Sequence, residues 1–173
     1  GGHVGLRSTP GEGSLFWFSV RLKKDHNSQA TPSPATAAGI DDLSIARHFA
    51  GCRVLLAEDD EINREVALSL LEESALLIDT VENGEEAVNA VENADYDLIL
   101  MDMQMPVMDG LAATRRIRQL PGRQQTPIIA LTANAFAEDR QRCQEAGMND
   151  FVAKPIDPSH LFEKIFHWLS QGR

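Results

Sequence analysis

The stretch that decides the fold is Leu98-Ile-Leu-Met-Asp102-Met-Gln-Met-Pro106-Val-Met-Asp-Gly110. Its first four residues are all apolar, which is typical of a strand buried on both faces in a parallel sheet that helices cover. Asp102 ends this run, and Pro106 and Gly110 turn the chain away from the strand. The predicted strand therefore places Asp102 at the carboxyl edge of a sheet, where open α/β folds bind ligands. From this stretch alone, a helix cap or a turn explains Asp102 equally well.

The same alternation of apolar runs and helical periodicity extends through residues 51–171. Helices are predicted from near Ile62, Gly84, Leu111, Asn134 and Pro158, one after each strand. The five predicted strands are Val54–Ala57, Leu76–Thr80, Leu98–Met101, Pro127–Thr132 and Asp150–Pro155. This alternation predicts an α/β domain with a doubly wound, five-stranded parallel sheet in the order 2-1-3-4-5, a flavodoxin-like arrangement.

The composition sets the size of the protein and excludes some functions. The chain has 173 residues, of which 43% are hydrophobic, enough for one ordinary domain and an appendage. Its net charge is −10, and residues 51–173 carry eleven Lys and Arg against twenty-two Asp and Glu. Because an acidic domain without a basic stripe repels phosphate backbones, we expect no nucleic-acid partner.

The cysteines and the hydropathy indicate the compartment. Cys52 and Cys143 have no metal-ligand or disulfide spacing, which fits a reducing cytoplasm. No apolar run approaches the roughly 18 residues of a membrane helix, and the first residues are unlike a signal peptide. We therefore expect a soluble cytoplasmic protein without direct membrane contact.

Residues 1–50 have a different character and divide into two parts. Residues 4–13 are turn-rich and residues 14–22 alternate like one strand of a hairpin. Since two strands do not form a stable domain, residues 1–24 are expected to be the end of a larger one. Residues 25–50 are predicted to be a linker that is rich in Pro, Ser, Thr and Ala and contains a short helix over Leu43–Phe49.

Four of the five predicted strands end in residues that carry chemistry: Glu58 with Asp59, Asp102, Thr132 and Lys154. The ends of parallel strands lie on one edge, so these side chains should converge. Three carboxylates in one cleft repel one another unless a cation joins them, and Mg²⁺ prefers such oxygen ligands. Lys154 adds a positive charge and Thr132 a hydroxyl group. This combination suits the binding of a phosphoryl group.

Four segments carry a resemblance to a known family. They are Leu55-Leu-Ala-Glu-Asp-Asp-Glu-Ile-Asn-Arg64, Met101-Asp-Met-Gln-Met-Pro-Val-Met-Asp-Gly110, Ala130-Leu-Thr-Ala-Asn134 and Phe151-Val-Ala-Lys-Pro155. In this order and spacing they resemble the signatures of two-component receiver (response regulator) domains, above all those fused to hybrid sensor histidine kinases. The segment Pro10-Gly-Glu-Gly-Ser14 with Phe16-Trp-Phe18 is similar to the last hairpin of the ATP-binding lobe of such kinases. The resemblance implies a kinase-lobe remnant (1–24), a linker (25–50) and a receiver domain (51–171).

The resemblance also implies a function and a metal. Asp102 would accept a phosphoryl group from phosphohistidine in a two-component phosphorelay, as an aspartyl phosphate. Asp59 and Asp102 would bind Mg²⁺ directly, together with the backbone carbonyl of Gln104, and Glu58 would act through a metal-bound water. Mn²⁺ is expected to substitute for Mg²⁺.

The remaining site residues follow from the same resemblance. Lys154 and Thr132 would contact phosphoryl oxygens, and the Lys154–Pro155 peptide bond would be cis. Thr132 would form a switch with Phe151, which stands where many receivers have Tyr. Inward movement of both side chains would remodel the surface around the fourth helix and fifth strand.

The implied partners are the histidine kinase core of the parent chain and a histidine phosphotransfer domain. The parent is expected to be a histidine kinase, a transferase, anchored in the inner membrane. The chain has neither the parts of the lobe that hold ATP nor a phosphorylated-histidine box, so we expect no ATP-dependent kinase activity from it.

Two other functions remain open at this stage. A phosphatase of the haloacid-dehalogenase type also uses an aspartate nucleophile at a strand end with Mg²⁺, but it needs a second Asp where Gln104 stands. A receiver that no longer accepts phosphate is a pure interaction module. The intact set of site residues argues against such a module, but Asp60, where hybrid-kinase receivers often have Asn, adds negative charge beside the metal site.

Overall fold

The computed structural model describes residues 3–9, 13–19, 41–133 and 137–171. They belong to two compact units, Gly1–Ala38 and Gly39–Arg173. Residues 20–24, the predicted linker before residue 41, and Asn134 with the predicted start of its helix lie outside the described residues.

The first unit contains an antiparallel hairpin of β1 (His3–Thr9) and β2 (Gly13–Ser19). Gly5 lies opposite Trp17, and a Cβ at Gly5 would lie 2.3 Å from the indole ring. The glycine therefore leaves the space that the tryptophan ring occupies across the hairpin. Strand β2 agrees with the alternation predicted for residues 14–22, whereas β1 covers residues that the sequence predicts only as turn-rich. The origin of the hairpin in a kinase lobe stays a prediction.

The second unit is built on the predicted parallel sheet. Its strands are β3 (Arg53–Ala57), β4 (Leu77–Val81), β5 (Leu98–Asp102), β6 (Ile128–Thr132) and β7 (Asp150–Ala153). They pair in parallel in the order β4-β3-β5-β6-β7, which confirms the predicted 2-1-3-4-5 order.

In the described part of the chain, six helices accompany these strands. They are α1 (Asp42–Phe49), α2 (Glu61–Leu70), α3 (Gly84–Asn93), α4 (Gly110–Gln119), α5 (Ala137–Ala146) and α6 (Pro158–Gln171), and a 3₁₀ turn covers Glu72–Ser74. Asp60, Asn83 and Asp109 cap α2, α3 and α4 by accepting a hydrogen bond from a backbone amide three residues later. Asp60, which departs from the family pattern, is therefore the N-cap of α2.

The sheet separates two apolar cores, and this explains the uninterrupted apolar run in β5. All five residues of β5 are buried. Ile99 and Met101 pack in the core with α3, α4 and α5, whereas Leu98 and Leu100 pack in the core with α1, α2 and α6. Because successive side chains point to opposite faces and both faces are covered, the four positions before Asp102 must all be apolar.

Helix α1 is part of the second unit, which places the start of this unit earlier than the sequence predicts. Ile45 and Phe49 are buried, and the Phe49 ring meets Phe166 of α6 edge-on at a centroid distance of 5.2 Å. The sequence predicts this helix within the linker of residues 25–50, whereas the structure packs it into the second unit. The difference arises because the short helix predicted within the linker buries its apolar face against α6.

Asp150 joins the start of β7 to α6. Its Oδ2 accepts hydrogen bonds from Trp168 Nε1 (3.1 Å) and Lys164 Nζ (3.0 Å), and its Oδ1 accepts one from the Phe151 amide (2.9 Å). Burial raises the pKa of Asp150, but these hydrogen bonds outweigh it and hold the pKa below its ordinary value. The resulting stabilisation is present above the pKa of the unfolded chain and is lost as the pH falls through the lower folded-state pKa.

We therefore expect Asp150→Asn to lower the free energy of unfolding by about 1 kcal/mol near neutral pH, because the charge-assisted bonds weaken. The difference from the wild type should shrink below about pH 4, where the carboxyl group is protonated in the unfolded chain. Urea unfolding across pH 3–7 measures it, with exposed Glu163→Gln on α6 as the control. A difference that stays constant to pH 3 would contradict the proposed linkage.

Candidate functional site

Three carboxylates meet at the carboxyl edge of the sheet. Glu58 and Asp59 follow β3, and Asp102 ends the neighbouring strand β5. One oxygen of each lies within 4.8 Å of the other two. Glu58 and Asp102 are buried, at 1% and 6% exposure, whereas Asp59 is exposed. The structure thus brings together the three carboxylates that the strand ends predict.

Lys154 bridges the two buried carboxylates from the end of β7. Its Nζ donates hydrogen bonds to Asp102 Oδ2 (2.7 Å) and Glu58 Oε1 (2.9 Å). The Lys154–Pro155 peptide bond is cis. Thr132 is buried at the end of β6, and its backbone carbonyl accepts a hydrogen bond from the Lys154 amide at 2.7 Å. Lysine and threonine therefore come from neighbouring strand ends on the same edge.

The electrostatics of this cluster reflect its burial and its charges. Burial raises the pKa of Glu58 above its ordinary value, and the hydrogen bond from Lys154 offsets this only in part. Burial alone would lower the pKa of Lys154, but its hydrogen bonds to Asp102 and Glu58 outweigh burial and raise it. The lysine is therefore held in its charged form between two carboxylates.

One oxygen in the cluster lacks a hydrogen bond. Glu58 Oε2 lies 2.7 Å from Lys154 Nζ, but the geometry does not make a hydrogen bond. It is the one buried side-chain oxygen or nitrogen in the described ranges without such a bond. The ion pair with Lys154 balances the charge of this oxygen but leaves its lone pairs open to an ion or a water. With Asp59 and Asp102 beside it, this oxygen belongs to a donor set that fits a hard divalent cation such as Mg²⁺.

Two other predicted site residues are Gln104, in the loop after β5, and Phe151, in β7. The amide of Gln104 donates to Asp102 Oδ1 at 3.1 Å, which holds the Gln104 backbone beside the carboxylate. The role of its carbonyl as a metal ligand stays a prediction. Phe151 is half-buried in β7, and the Arg140 guanidinium lies 4.5 Å from the centroid of its ring.

The loop that follows Asp102 is tightly packed. The Gly110 amide donates to the Met103 carbonyl (3.2 Å), and a Cβ at Gly110 would lie 2.0 Å from the Asp102 carbonyl oxygen. The Gly84 amide, at the start of α3, donates to the Met108 carbonyl at 3.0 Å. Both helix starts therefore hold the loop after the central carboxylate. The sequence indicated Gly110 only as a turn residue and gave Gly84 no role in the site.

Two further residues near the site were missed by sequence reasoning. Asn63 Nδ2 donates to Glu58 Oε1 at 3.3 Å, and Arg64 Nη1 donates to the Glu58 backbone carbonyl at 2.8 Å. Both stand in the first turn of α2, three and four residues after its cap Asp60. This spacing was visible in the sequence, but their direction toward Glu58 depends on how α2 leaves the sheet.

The sheet order and the carboxylate and lysine cluster at its edge define the receiver class of two-component signalling proteins. A family model for the response regulator receiver domain matches residues 54–166. The chain therefore belongs to the response regulator receiver domain family. Phosphorylation of an aspartate is the general role of this family.

Similar proteins include kinases and isolated receivers. The histidine-protein kinase BarA of Escherichia coli is 36% identical over 143 residues, which cover 83% of this chain and 15% of BarA. The receiver of the sensor histidine kinase PA1611 from Pseudomonas aeruginosa was solved with a magnesium ion in its active-site cleft. It is 42% identical, with a TM-score of 0.66 over 70% of this chain and 99% of that one.

A third similar structure includes a partner. The receiver of the yeast response regulator Ssk1, solved in complex with the histidine phosphotransfer protein Ypd1, is 31% identical. Its TM-score is 0.66, over 70% of this chain and 91% of that one. Within the described ranges, no helix combines the length and the apolarity needed to cross a membrane.

Proposed function

We propose that this chain contains the phosphoacceptor receiver of a hybrid sensor histidine kinase and that Asp102 accepts the phosphoryl group. The observation that carries the proposal is the buried Asp102 carboxylate, which lies beside two further carboxylates and 2.7 Å from the Lys154 ammonium. The relatives support a hybrid-kinase parent, with the kinase core as phosphodonor and a histidine phosphotransfer domain as partner.

The chemistry is an in-line phosphoryl transfer. A carboxylate oxygen of Asp102 attacks the phosphorus of phosphohistidine, a P–O bond forms, the P–N bond breaks and the imidazole leaves. Asp59, Asp102 and the Gln104 carbonyl would hold Mg²⁺, or Mn²⁺ in its place, and Glu58 would act through a water. The bound metal supplies positive charge that offsets the charge of the phosphoryl oxygens.

Lys154 and Thr132 complete the proposed site. The Lys154 ammonium already contacts Asp102 Oδ2, so a small movement would bring it to an oxygen of the new aspartyl phosphate. The Thr132 hydroxyl would donate to a second phosphoryl oxygen. Both groups would bind the negative charge that the acceptor gains.

Intact mass after incubation with acetyl phosphate and Mg²⁺ tests the proposal. We expect the gain of one phosphoryl group that is stable in acid and labile in base. EDTA should prevent the gain and added Mn²⁺ should restore it. Asp102→Asn should abolish it, since the amide that replaces the carboxylate cannot act as the nucleophile.

The same experiment separates the alternatives. Continuous release of phosphate from an aryl phosphate over many turnovers, abolished in Asp102→Asn, would indicate a phosphatase. If neither acetyl phosphate nor beryllofluoride modifies the protein, the interaction module is the better explanation. Asp60→Asn is then the first substitution to make, because asparagine caps a helix as well as aspartate and removes one negative charge from the cleft.

We further propose Thr132 and Phe151 as the switch. A cavity of about 200 Å³ borders Thr132 and gives room for rearrangement. Phe151 lies opposite Ala130, two residues before Thr132 in the neighbouring strand. An inward movement of Thr132 on phosphorylation would let the Phe151 ring follow. Equal rotamer populations of Phe151 with and without beryllofluoride would contradict this switch.

Arg140 should restrain this movement. Its guanidinium lies over the Phe151 ring at 4.5 Å, a cation–π contact worth about 0.5–1 kcal/mol at an exposed site. We expect Arg140→Gln to shift the Phe151 rotamer equilibrium inward by roughly 2–5-fold, measured by NMR of the labelled ring. Arg142→Gln is the matched control, because Arg142 pairs with Asp139 on the same helix. Equal shifts in both variants would rule out a specific contact.

Exposed apolar residues beside the cleft suit a docking partner. Ile62 and Val66 on α2 are 72% and 48% exposed, and Val107, in the loop after β5, is 79% exposed. We propose that the phosphotransfer domain docks here, because its histidine must reach Asp102. Ile62→Ser should slow phosphoryl transfer to that domain about 10-fold and leave phosphorylation by acetyl phosphate unchanged. Equal effects on both reactions would contradict the docking role.

A further inference from the structure

Arg64 connects the two strand ends on one side of the site. Its Nη1 donates to the Glu58 backbone carbonyl at 2.8 Å, and its Nη2 donates to Glu82 Oε1 at 3.2 Å. The Arg64 side chain is 16% exposed, whereas Glu82, just after β4, is 67% exposed. The guanidinium is thus mostly buried, and the shorter of these two hydrogen bonds is the one to the backbone carbonyl of Glu58.

That peptide group joins two of the carboxylate residues. The peptide between Glu58 and Asp59 is a rigid plane, so its orientation sets the direction in which the chain carries both side chains. The Glu58 amide donates to the Val81 carbonyl at 3.0 Å and anchors the residue on its other side. The hydrogen bond from the Glu58 amide is the last one between β3 and β4 at this edge. Arg64 therefore fixes the next peptide plane, that between Glu58 and Asp59, through the Glu58 carbonyl.

We propose that Arg64 is a positioning residue for the cation site: by holding the Glu58 carbonyl, it presets the directions of the Glu58 and Asp59 carboxylates. This rests on the proposed function, since it takes these carboxylates as the groups that receive the cation. Asn63 assists from the same helical turn through its contact with Glu58 Oε1. Arg64 acts through its neighbours and touches neither the cation nor the phosphoryl group.

The sign of the effect distinguishes positioning from charge. A guanidinium near a cation site repels the cation, so removing it for electrostatic reasons alone should strengthen Mg²⁺ binding. Loss of a positioning contact does the opposite, because the carboxylates must then be ordered when the cation binds. A merely structural role would lower the unfolding temperature and leave the Mg²⁺ affinity of the folded protein unchanged.

Titration calorimetry with MgCl₂ on the whole chain, at a temperature where each variant is folded, tests the proposal. We expect Arg64→Gln to weaken Mg²⁺ binding roughly 10-fold, as is common when groups that orient metal ligands are removed. Arg53→Gln is the matched control. It removes a different arginine ion pair, that between Arg53 of β3 and Asp79 of β4 at 2.7 Å, near the opposite end of β3.

The outcomes separate the two proposals. Absence of Mg²⁺ binding by the wild type would contradict the proposed function. Binding by the wild type with unchanged or tighter binding by Arg64→Gln would overturn the role of Arg64. If Arg64→Gln does not fold, Arg64→Lys decides, because lysine keeps the charge but lacks the fixed fork of donors. We expect severalfold weaker binding from Arg64→Lys, and wild-type affinity in that variant would overturn the proposal.

Discussion

Lys154→Met should slow phosphorylation of Asp102 about 100-fold, because it removes the charge that we propose binds the phosphoryl oxygens. It should also lower the free energy of unfolding by about 3 kcal/mol in the absence of Mg²⁺. The substitution leaves the buried carboxylates of Glu58 and Asp102 facing each other without the ammonium that lies 2.7 Å from each. Near neutral pH the full decrease in the free energy of unfolding should be observed. The pKa of Lys154 is raised in the folded protein, so its stabilisation is lost only as the pH rises through that value.

Mg²⁺ should restore part of this stability. A divalent cation can neutralise the same carboxylates, and a ligand that binds only the folded state stabilises it. Lys154→Met should therefore bind Mg²⁺ more tightly than the wild type while accepting phosphate more slowly. Urea unfolding with and without MgCl₂, together with the rate of mass gain from acetyl phosphate, measures both effects.

Lys164→Met is the control for this prediction. Lys164 also forms a partly covered ion pair, 3.0 Å from Asp150, but on α6 and with a single carboxylate. The Lys164→Met substitution should lower the free energy of unfolding by about 1 kcal/mol and change neither the Mg²⁺ affinity nor the rate of phosphorylation. If Lys154→Met lowers the free energy of unfolding no more than Lys164→Met does, the contacts of Lys154 with Glu58 and Asp102 do not stabilise the fold as expected.

Gly110→Ala should lower the free energy of unfolding by about 3 kcal/mol and slow phosphorylation. A Cβ at this position would lie 2.0 Å from the Asp102 carbonyl oxygen and 3.0 Å from the Met101 side chain. To relieve this contact, either the buried end of β5 or the start of α4 would have to move away from the other. Since the strained backbone is that of Asp102 itself, stability and reactivity should fall together. Urea unfolding and the rate of mass gain measure the two effects.

Gly122→Ala provides the comparison for a glycine on the surface. Gly122 has φ +78°, but a Cβ there would have no heavy atom within 4 Å. Gly122→Ala should lower the free energy of unfolding by about 1 kcal/mol through backbone strain alone and should not affect the rate of phosphorylation. Similar losses of stability in the two variants would show that the contact at Gly110 is relieved by a small shift.

The fold was predictable because the pattern that indicates each strand lies within a few consecutive residues of the sequence. Most of the strands contain a short apolar run, and the two cores on either side of the sheet require the residues Leu98–Met101 of β5 to be apolar. The boundary of the domain was not predictable in the same way. Helix α1 follows a segment rich in Pro, Ser and Ala, and only the packing of Ile45 and Phe49 against α6 shows where it belongs.

The central cluster of the site was also predictable, since parallel strands carry their ends to one edge. Glu58, Asp102 and Lys154 converge for that reason. The contacts that support this cluster depend on directions that the sequence does not specify. The approach of Arg64 to the Glu58 carbonyl depends on the angle at which α2 leaves the sheet, and the close approach at Gly110 depends on where α4 begins.

The packing of helix α1 has a consequence for how such domains are exchanged between proteins. A recombination event, or a laboratory domain swap, that joins a foreign sequence at Gly51 would discard Ile45 and Phe49 and uncover the apolar surface of α6 that they bury. A junction at Gly39 would transfer the helix together with the surface that it covers. The folding unit thus includes α1, which lies outside the residues 54–166 that the family model matches, and chimeras joined before α1 should remain soluble where those joined after it aggregate.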